Sequence, residues 1–477
     1  MFLARKLPPA DYGTFKQIFL VFSTFYLILQ GGIVQSLYYF IPREPARRMT
    51  WVFQALFVLT VTGLLSGAGI LFFGAKLSSL FSNPALEEFV PSLAFFTMLM
   101  LCGSYLEAAL ISEEKVAAGS TVLFFSEALR SLFILLPLLI HHTLSAIVHS
   151  LVAFSALRLL ATLFYTGYNL FRRERARAPI FTGPTLKTQL AYCLPFGAAI
   201  VVDVLQINLH QYAVAYLFDA ATFAFYSVGM LQIPVVDLIY TPMSQLLIVR
   251  MGRLLREGSP EERLALWVDM TRRLALLFFP MAIFFCLISN DLILLFFTET
   301  YLNSVPLFRI AVMAIFLSAF LTDGMLRCHA EAKFFLLIPS LKIILTFLLI
   351  IPLIKVWGLL GAVLATVMVA YIGKFLMLWK IRRLMAVSWS SFLPWRDLTG
   401  LLFLAIATAY VLAGLRQMLI LSPLAAVILL SLLYWTSFGT LLFFTPLLPD
   451  PIREAVRERM KTIWNAVARK PQDLTSN

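Results

Sequence analysis

Lysine and arginine alternate along this chain with apolar stretches, and no other feature constrains its fold as tightly. Thirteen apolar stretches, most of them 20 to 29 residues long, lie between Phe15 and Phe444. Of the 38 Lys and Arg, with those in the first or last five residues of a stretch counted with the adjoining gap, 27 fall in every second gap together with the C-terminal tail. The intervening gaps and the N-terminus hold 7, and the other four lie inside apolar stretches. About 20 apolar residues in a helix cross a ~30 Å hydrocarbon core. Backbone groups in lipid must be paired within the segment, which calls for helices. Short basic loops stay in the cytoplasm. The pattern predicts an all-α polytopic membrane protein of about 13 transmembrane helices, with the basic gaps and the C-terminus cytoplasmic.

Composition narrows the class further. The chain is 61% hydrophobic and 13% charged, with a mean hydropathy of +0.88. A membrane β-barrel would need alternating segments of about 10 residues, and none is visible. Net charge +13 and a pI near 9.6 raise nucleic acid as a partner. The basic residues cluster at helix ends instead, where membrane lipids present anionic headgroups, so no nucleic-acid partner is expected. Cys102, Cys193, Cys286 and Cys328 all fall in apolar stretches, which fits small packing residues rather than a disulfide or zinc framework.

The expected spans are 15–41, 51–74, 89–111, 118–141, 144–171, 189–209, 221–249, 272–290, 305–326, 334–354, 358–380, 398–415 and 420–446. A charged, breaker-rich linker at 172–188 divides five spans (1–171) from six (189–385). Two extra spans (396–449) and a tail (450–477) follow. Ser259-Pro260-Glu261-Glu262 reads as a capping-box helix start, expected to open a short interfacial helix. In the tail, Ile452, Val456, Met460, Ile463, Trp464 and Val467 share one face opposite basic residues. That is a basic amphipathic helix suited to the inner membrane surface. Thirteen spans with the C-terminus inside put Met1 outside, with Arg5 and Lys6 at the wrong face, so one further helix upstream is expected.

Certain stretches point to a family. Leu3–Phe15 (LARKLPPADYGTF) and Gly31–Glu44 (GGIVQSLYYFIPRE) resemble the first conserved region of bacterial oligosaccharide and polysaccharide flippases. These belong to the multidrug/oligosaccharidyl-lipid/polysaccharide exporter superfamily. Leu194–Phe218 with Phe223–Gly229, Leu294–Ile310 and Trp357–Thr366 are similar to later parts of it, in the same order. The resemblance implies two lobes of six helices around a central cavity, often with two extra helices, in the cytoplasmic (inner) membrane. In the family a helix precedes the "DYG" motif; that first helix is expected to be missing here, as the charge pattern also suggests.

Charges deep in a bilayer cost about 2.5–3.5 kcal/mol each and usually face a cavity or a partner. Arg130 and Arg158 sit near the centres of their spans. Together they would give a cationic chamber suited to a pyrophosphate, which guanidinium grips bidentately. A carboxylate locked onto each would remove that basis. Glu127, one turn before Arg130, is a candidate partner for it; Arg158 has no acid nearby in its own helix. Asp203, Lys342 and Asp237 are the buried charges of the second lobe. The resemblance implies a cation site between that lobe's first and fifth helices, where Asp203 and Lys342 fall. They are expected to pair, the ammonium standing in for sodium, or to form a plain structural bridge. Gln35, Tyr38, Tyr39, Gln206, Asn208, Gln211 and Tyr212 can hydrogen-bond sugar hydroxyls or tie helices together. His210 reads as an interfacial hydrogen-bonding group, and Lys374, Asp323 and Glu107 as snorkelling charges. Pro195, Pro234, Pro242, Pro280 and Pro339 are candidate kinks.

The favoured function is a flippase moving a polyprenyl-pyrophosphate-linked oligosaccharide, with membrane lipids and polysaccharide polymerase machinery as further partners. It needs no cofactor and no metal, and the chain has no P-loop, HExxH or Ser–His–Asp pattern. Alternatives are a multidrug or cation exporter of the same superfamily, a membrane enzyme of glycan assembly, and a transport-inactive scaffold. The outer gaps of about 15 residues or fewer leave little room for an enzyme's outer loop.

Overall fold

In a computed structural model of the 477-residue chain, residues 1–171, 179–329, 331–448, 453–454, 457–459 and 461 are described. They form helices and connecting turns, with no strand among them. The spans are α1 (Pro9–Arg43), α2 (Pro45–Leu80), α3 (Leu86–Ser112), α4 (Val116–His141), α5 (Leu144–Tyr168) and α6 (Gly183–Leu217). After them come α7 (Ala220–Gly229 then Pro234–Glu257), α8 (Pro260–Leu287), α9 (Glu299–Cys328), α10 (Leu336–Trp357) and α11 (Leu359–Met385). The last two are α12 (Trp395–Met418) and α13 (Pro423–Phe443). Twelve of these are long and apolar enough to cross a membrane, thirteen if the broken α7 is one span. The expected basic helix of the tail and the Arg172–Arg177 part of the linker lie outside the described residues, apart from a few tail positions.

Several spans are broken where an unbroken one was expected. α1 is interrupted at Gly31–Gly32, α3 at Gly103–Tyr105 and α7 between Met230 and Ile233. Pro234 opens the second piece of α7 at its first turn instead of kinking a helix interior. Prolines lack the N–H that a helix interior needs, so a helix start suits them. Pro260 likewise opens a helix at its first turn. No separate interfacial helix forms there; the capping box opens one continuous α8. Ser259 Oγ accepts from Glu262 N at 3.2 Å, and Ser259 N donates to Glu262 Oε2 at 2.8 Å.

The chain divides into two compact units. The first comprises Met1–Leu231, Phe296–Ala311 and Glu331–Gly373. Within it α2 pairs with α3, the first piece of α3 packs on α5, and α4 packs on α5. The first half of α1 lies against α6 and against Ala220–Gly229, and α10 packs on α6. Apolar burial does not drive helices together in lipid, so close packing and polar contacts must do so. Gly13 is where α1 touches the carbonyl of Ala220 so closely that any Cβ would collide with it. Buried polar groups tie the helices: Asn83 Nδ2 donates to Thr14 Oγ1 (2.8 Å) and Gln17 Oε1 (2.7 Å), and Gln189 Nε2 to Ser36 Oγ (2.8 Å). Phe40 stacks on Trp51 with centroids 4.2 Å apart, beside buried Leu37, Leu59 and Tyr105.

The second unit comprises Gln232–Leu295, Val312–Ala330 and Lys374–Asn477. Here α8 is the most enclosed helix, packed on α12 and on the Val312–Ala319 turn of α9. Trp267 stacks on Phe392 and donates Nε1–H to the Phe392 carbonyl at 3.0 Å. Asp291, 4% exposed, receives Arg416 bidentately at 2.7 and 3.0 Å. No disulfide joins the four cysteines, and Cys102 and Cys193 are buried in packing positions.

Candidate functional site

The helix breaks of the first unit position a polar cluster. Gly31 and Gly32 take left-handed φ angles of 52° and 77°, which ends the first piece of α1 and starts the second. A Cβ on Gly32 would lie 3.2 Å from the Cys193 carbonyl oxygen, so glycine here admits α6 to close approach. In α3, the break at Gly103–Tyr105 sets off the short piece Leu106–Ser112, which carries Glu107. The neighbouring α5 carries Arg158.

These two charges meet. Arg158 Nη2 donates to Glu107 Oε1 at 2.7 Å, and each side chain is 12% exposed. Arg158 Nη1 rests 3.7 Å from the Met100 sulfur. On α1, Tyr26 interacts with both Arg158 and Gln30, and Tyr38 is within electrostatic range of Glu107. Gln30 also lines a cleft of about 700 Å³ between α1, α2 and α6. Its other walls include Gly31, Thr62, Lys187, Leu190 and Leu194. Arg158 with donors left over, the Tyr26 hydroxyl and the Gln30 amide make a set that can hold an anionic, hydroxyl-rich group. Gln30 is the residue this set shares with the cleft that Lys187 lines.

The expectation of a free cationic chamber is not met. Arg158 has an acid after all, reaching across from α3, and Glu107 is paired instead of snorkelling. Arg130 is bonded to Glu127 one turn earlier on α4, a helix that protein covers only slightly. Neither central arginine is an unpaired cation, because an isolated charge in that setting is costly and a carboxylate is within reach of each.

The remaining candidates scatter. Tyr39 stacks on Tyr192 (4.4 Å between centroids), and the Arg43 guanidinium covers its ring at 3.6 Å. Gln35 is exposed and Gln206 half-buried. Asn208 is buried and donates to Thr24 Oγ1 at 2.9 Å, a tie between α6 and α1. His210 Nδ1 is bonded to the Tyr226 hydroxyl at 2.7 Å, matching its reading as a hydrogen-bonding group. In the second unit Asp237 is exposed in the first turn of its helix piece, where the helix dipole favours an acid.

Asp203 and Lys342 do not pair. Their helices, α6 and α10, do pack together, but Asp203 is exposed. The Lys342 stem lies over Gly373 of α11. Sequence reasoning missed Lys187, assigned to the linker, and the part played by Glu107. An acid one turn inside an apolar span was the available signal for the latter.

Residues 2–306 match the family described as polysaccharide biosynthesis protein. The chain belongs to that family. No curated protein sequence matches it. Among solved structures, an inward-facing multidrug resistance MATE family transporter of the MOP superfamily superposes with a TM-score of 0.64. It shares 15% identity, over 81% of this chain and 94% of that one. The lipid II flippase MurJ, in an inward closed conformation, gives 0.59 at 13% identity, over 90% of this chain and 98% of that one. An outward-facing MATE family transporter gives 0.50 at 14% identity, over 80% and 88%. This chain therefore has the multi-pass helical fold that those transporters share.

Proposed function

We propose that the chain is a flippase that carries a polyprenyl-pyrophosphate-linked oligosaccharide across the bacterial cytoplasmic membrane by alternating access. The observation that carries this reading is the match to the polysaccharide biosynthesis family over residues 2–306. The fold shared with transporters is consistent with it. Moving a lipid headgroup makes and breaks no covalent bond, so the reading asks for a binding chamber and a way to change its access.

The Arg158–Glu107 pair gives that chamber a chemistry different from a free cationic trap. As a pair it is neutral, and it presents few charges to attract a cation or an anion from afar. A pyrophosphate entering beside Tyr26 and Gln30 exchanges with Glu107 as the partner of Arg158. Breaking a buried pair costs about 3–5 kcal/mol, which a bidentate, doubly charged phosphate group offsets in part. Binding is then moderate, and Glu107 recaptures Arg158 when the cargo leaves. A carrier must release its cargo on the far side, and an internal competitor serves that need. The lipid tail stays in the bilayer, with Lys187 near the phosphate as it approaches the cleft. In this arrangement the lobes 1–171 and 189–385 rock about the site, with the C-terminus cytoplasmic and polysaccharide polymerase machinery receiving the product.

Deletion in the source cell tests the proposal. Lipid-linked repeat units should accumulate on the inner leaflet. The wild type should clear them, and a neutral pair, Arg158→Met with Glu107→Leu, should not. Normal clearance by the neutral pair would remove the site from the proposal, and no accumulation on deletion would remove the cargo.

A further inference from the structure

A second polar site lies in the other unit, where α9 changes course. The Val312–Ala319 part of α9 is a tight 3₁₀ turn, and regular helix resumes only at Thr322. Between them Leu321 has φ −78° and ψ 52°, and Thr322 N donates to the Phe320 carbonyl at 2.9 Å. This is an inverse γ-turn. It leaves carbonyl oxygen at a helix end inside an apolar span, the arrangement with which broken helices bind small cations.

A lysine fills that position. Lys374 Nζ on α11 donates to the Phe320 carbonyl at 3.2 Å and to Thr322 Oγ1 at 3.1 Å. Thr322 turns its own hydroxyl hydrogen toward the Met377 sulfur at 3.3 Å, which leaves its oxygen lone pairs to the ammonium. The next residue, Asp323, supplies negative charge and accepts from the Tyr240 hydroxyl at 2.8 Å. The Tyr240 ring itself stands 5.7 Å from Lys374 Nζ, and Arg327 also acts on Tyr240. Lys374 and Asp323 were expected to snorkel to the membrane surface. Instead the broken turn captures the ammonium, and the tyrosine holds the carboxylate.

We infer that Lys374 is a tethered cation occupying a monovalent-cation site formed by the Phe320 carbonyl and Thr322 Oγ1, next in sequence to the Asp323 carboxylate that Tyr240 holds. An ammonium and a sodium ion carry the same charge and seek the same oxygen ligands. The tether makes the site permanently filled, so the protein dispenses with sodium at this position. The site is separate from the Arg158–Glu107 cluster, and it stands whether or not the cargo is a lipid-linked glycan.

The experiment uses the purified full chain in detergent, with thermal unfolding followed in sodium chloride and in choline chloride at equal ionic strength. The wild type and Lys374→Arg should melt at the same temperature in both salts. Lys374→Met should gain ~2–5 °C in sodium, saturating with concentration, as expected of a ligand that binds only the folded state. Adding Thr322→Val to Lys374→Met should abolish that gain. Should Lys374→Met be recoverable only in sodium, the inference is supported as well. It is overturned by a sodium-dependent shift in the wild type, by a Lys374→Met protein indifferent to sodium, or by one recovered in neither salt while Lys374→Arg folds.

Discussion

Arg158 and Glu107 stand on different helices, 51 residues apart in sequence, and their side chains meet at 2.7 Å with only 12% of each exposed. Removing one partner strands the other charge, at a cost of about 3–5 kcal/mol. Arg158→Ala and Glu107→Ala should therefore each lower the melting temperature of the purified protein markedly. The double variant Arg158→Met with Glu107→Leu should recover most of that loss, since an apolar pair of similar volume replaces a buried ion pair at little cost. A double variant as unstable as the two single losses added together would mean that the groups are not coupled.

Arg416 should matter for a different reason. Its bidentate hold on Asp291 and its bond to the Leu419 carbonyl at 2.9 Å fasten the end of α12 to the start of the Ser289–Phe296 helix. Arg416→Ala leaves Asp291 buried without its cation and should destabilise the second unit by ~3–5 kcal/mol. Arg416→Lys keeps the charge and loses the fork, so it should fall between the two. Limited proteolysis near Leu419 would report the loosening, and an unchanged cleavage pattern in Arg416→Ala would refute it.

Asn208 separates a structural tie from a cargo contact. It is buried on Thr24, and an interhelical hydrogen bond in a membrane is worth about 0.6 kcal/mol on average. Asn208→Leu should thus cost little stability and leave clearance of lipid-linked repeat units intact. Loss of clearance with normal expression would return Asn208 to the group of cargo contacts.

Gly13 allows a close helix approach in the first unit, against the Ala220 carbonyl. Gly13→Ala should force α1 and Ala220–Gly229 apart, at a cost of roughly 1–3 kcal/mol for overpacking. Cysteines placed at Thr14 and Thr222 in a cysteine-free background should report the separation as a slower disulfide cross-link than in the Gly13 parent. An equal cross-linking rate would show that the contact yields without cost.

What the residues disclose in advance follows the range of the interaction. The spans are legible because crossing a membrane needs only length and apolarity, both local. The capping box at Ser259 and Glu262 is legible for the same reason, being three residues wide. The breaks in α1 and α3 have glycines nearby, yet glycine alone does not say whether a helix bends. The turn at Phe320–Thr322 is hidden, since Val312 to Leu321 is an apolar run with no glycine or proline. Lys374 then looks like a snorkelling side chain until the carbonyl that captures it is visible. Glu107 is hidden as a partner for Arg158 because nothing local records that α3 and α5 are neighbours. The proposed Asp203–Lys342 pair had the right helices in contact and the wrong side chains, since helix packing does not fix which way a long lysine lies.

Transport by the purified protein bears most directly on the proposed function. The full chain is reconstituted in vesicles whose outer leaflet carries a fluorescent polyprenyl-pyrophosphate oligosaccharide, and movement is read as protection of the label from an external quencher. The wild type should move the label inward, while Arg158→Met with Glu107→Leu, folded to the same melting temperature, should leave it exposed. Protection equal in the two proteins would contradict a part for the Arg158–Glu107 pair in transport, and none in either would contradict the lipid-linked cargo itself.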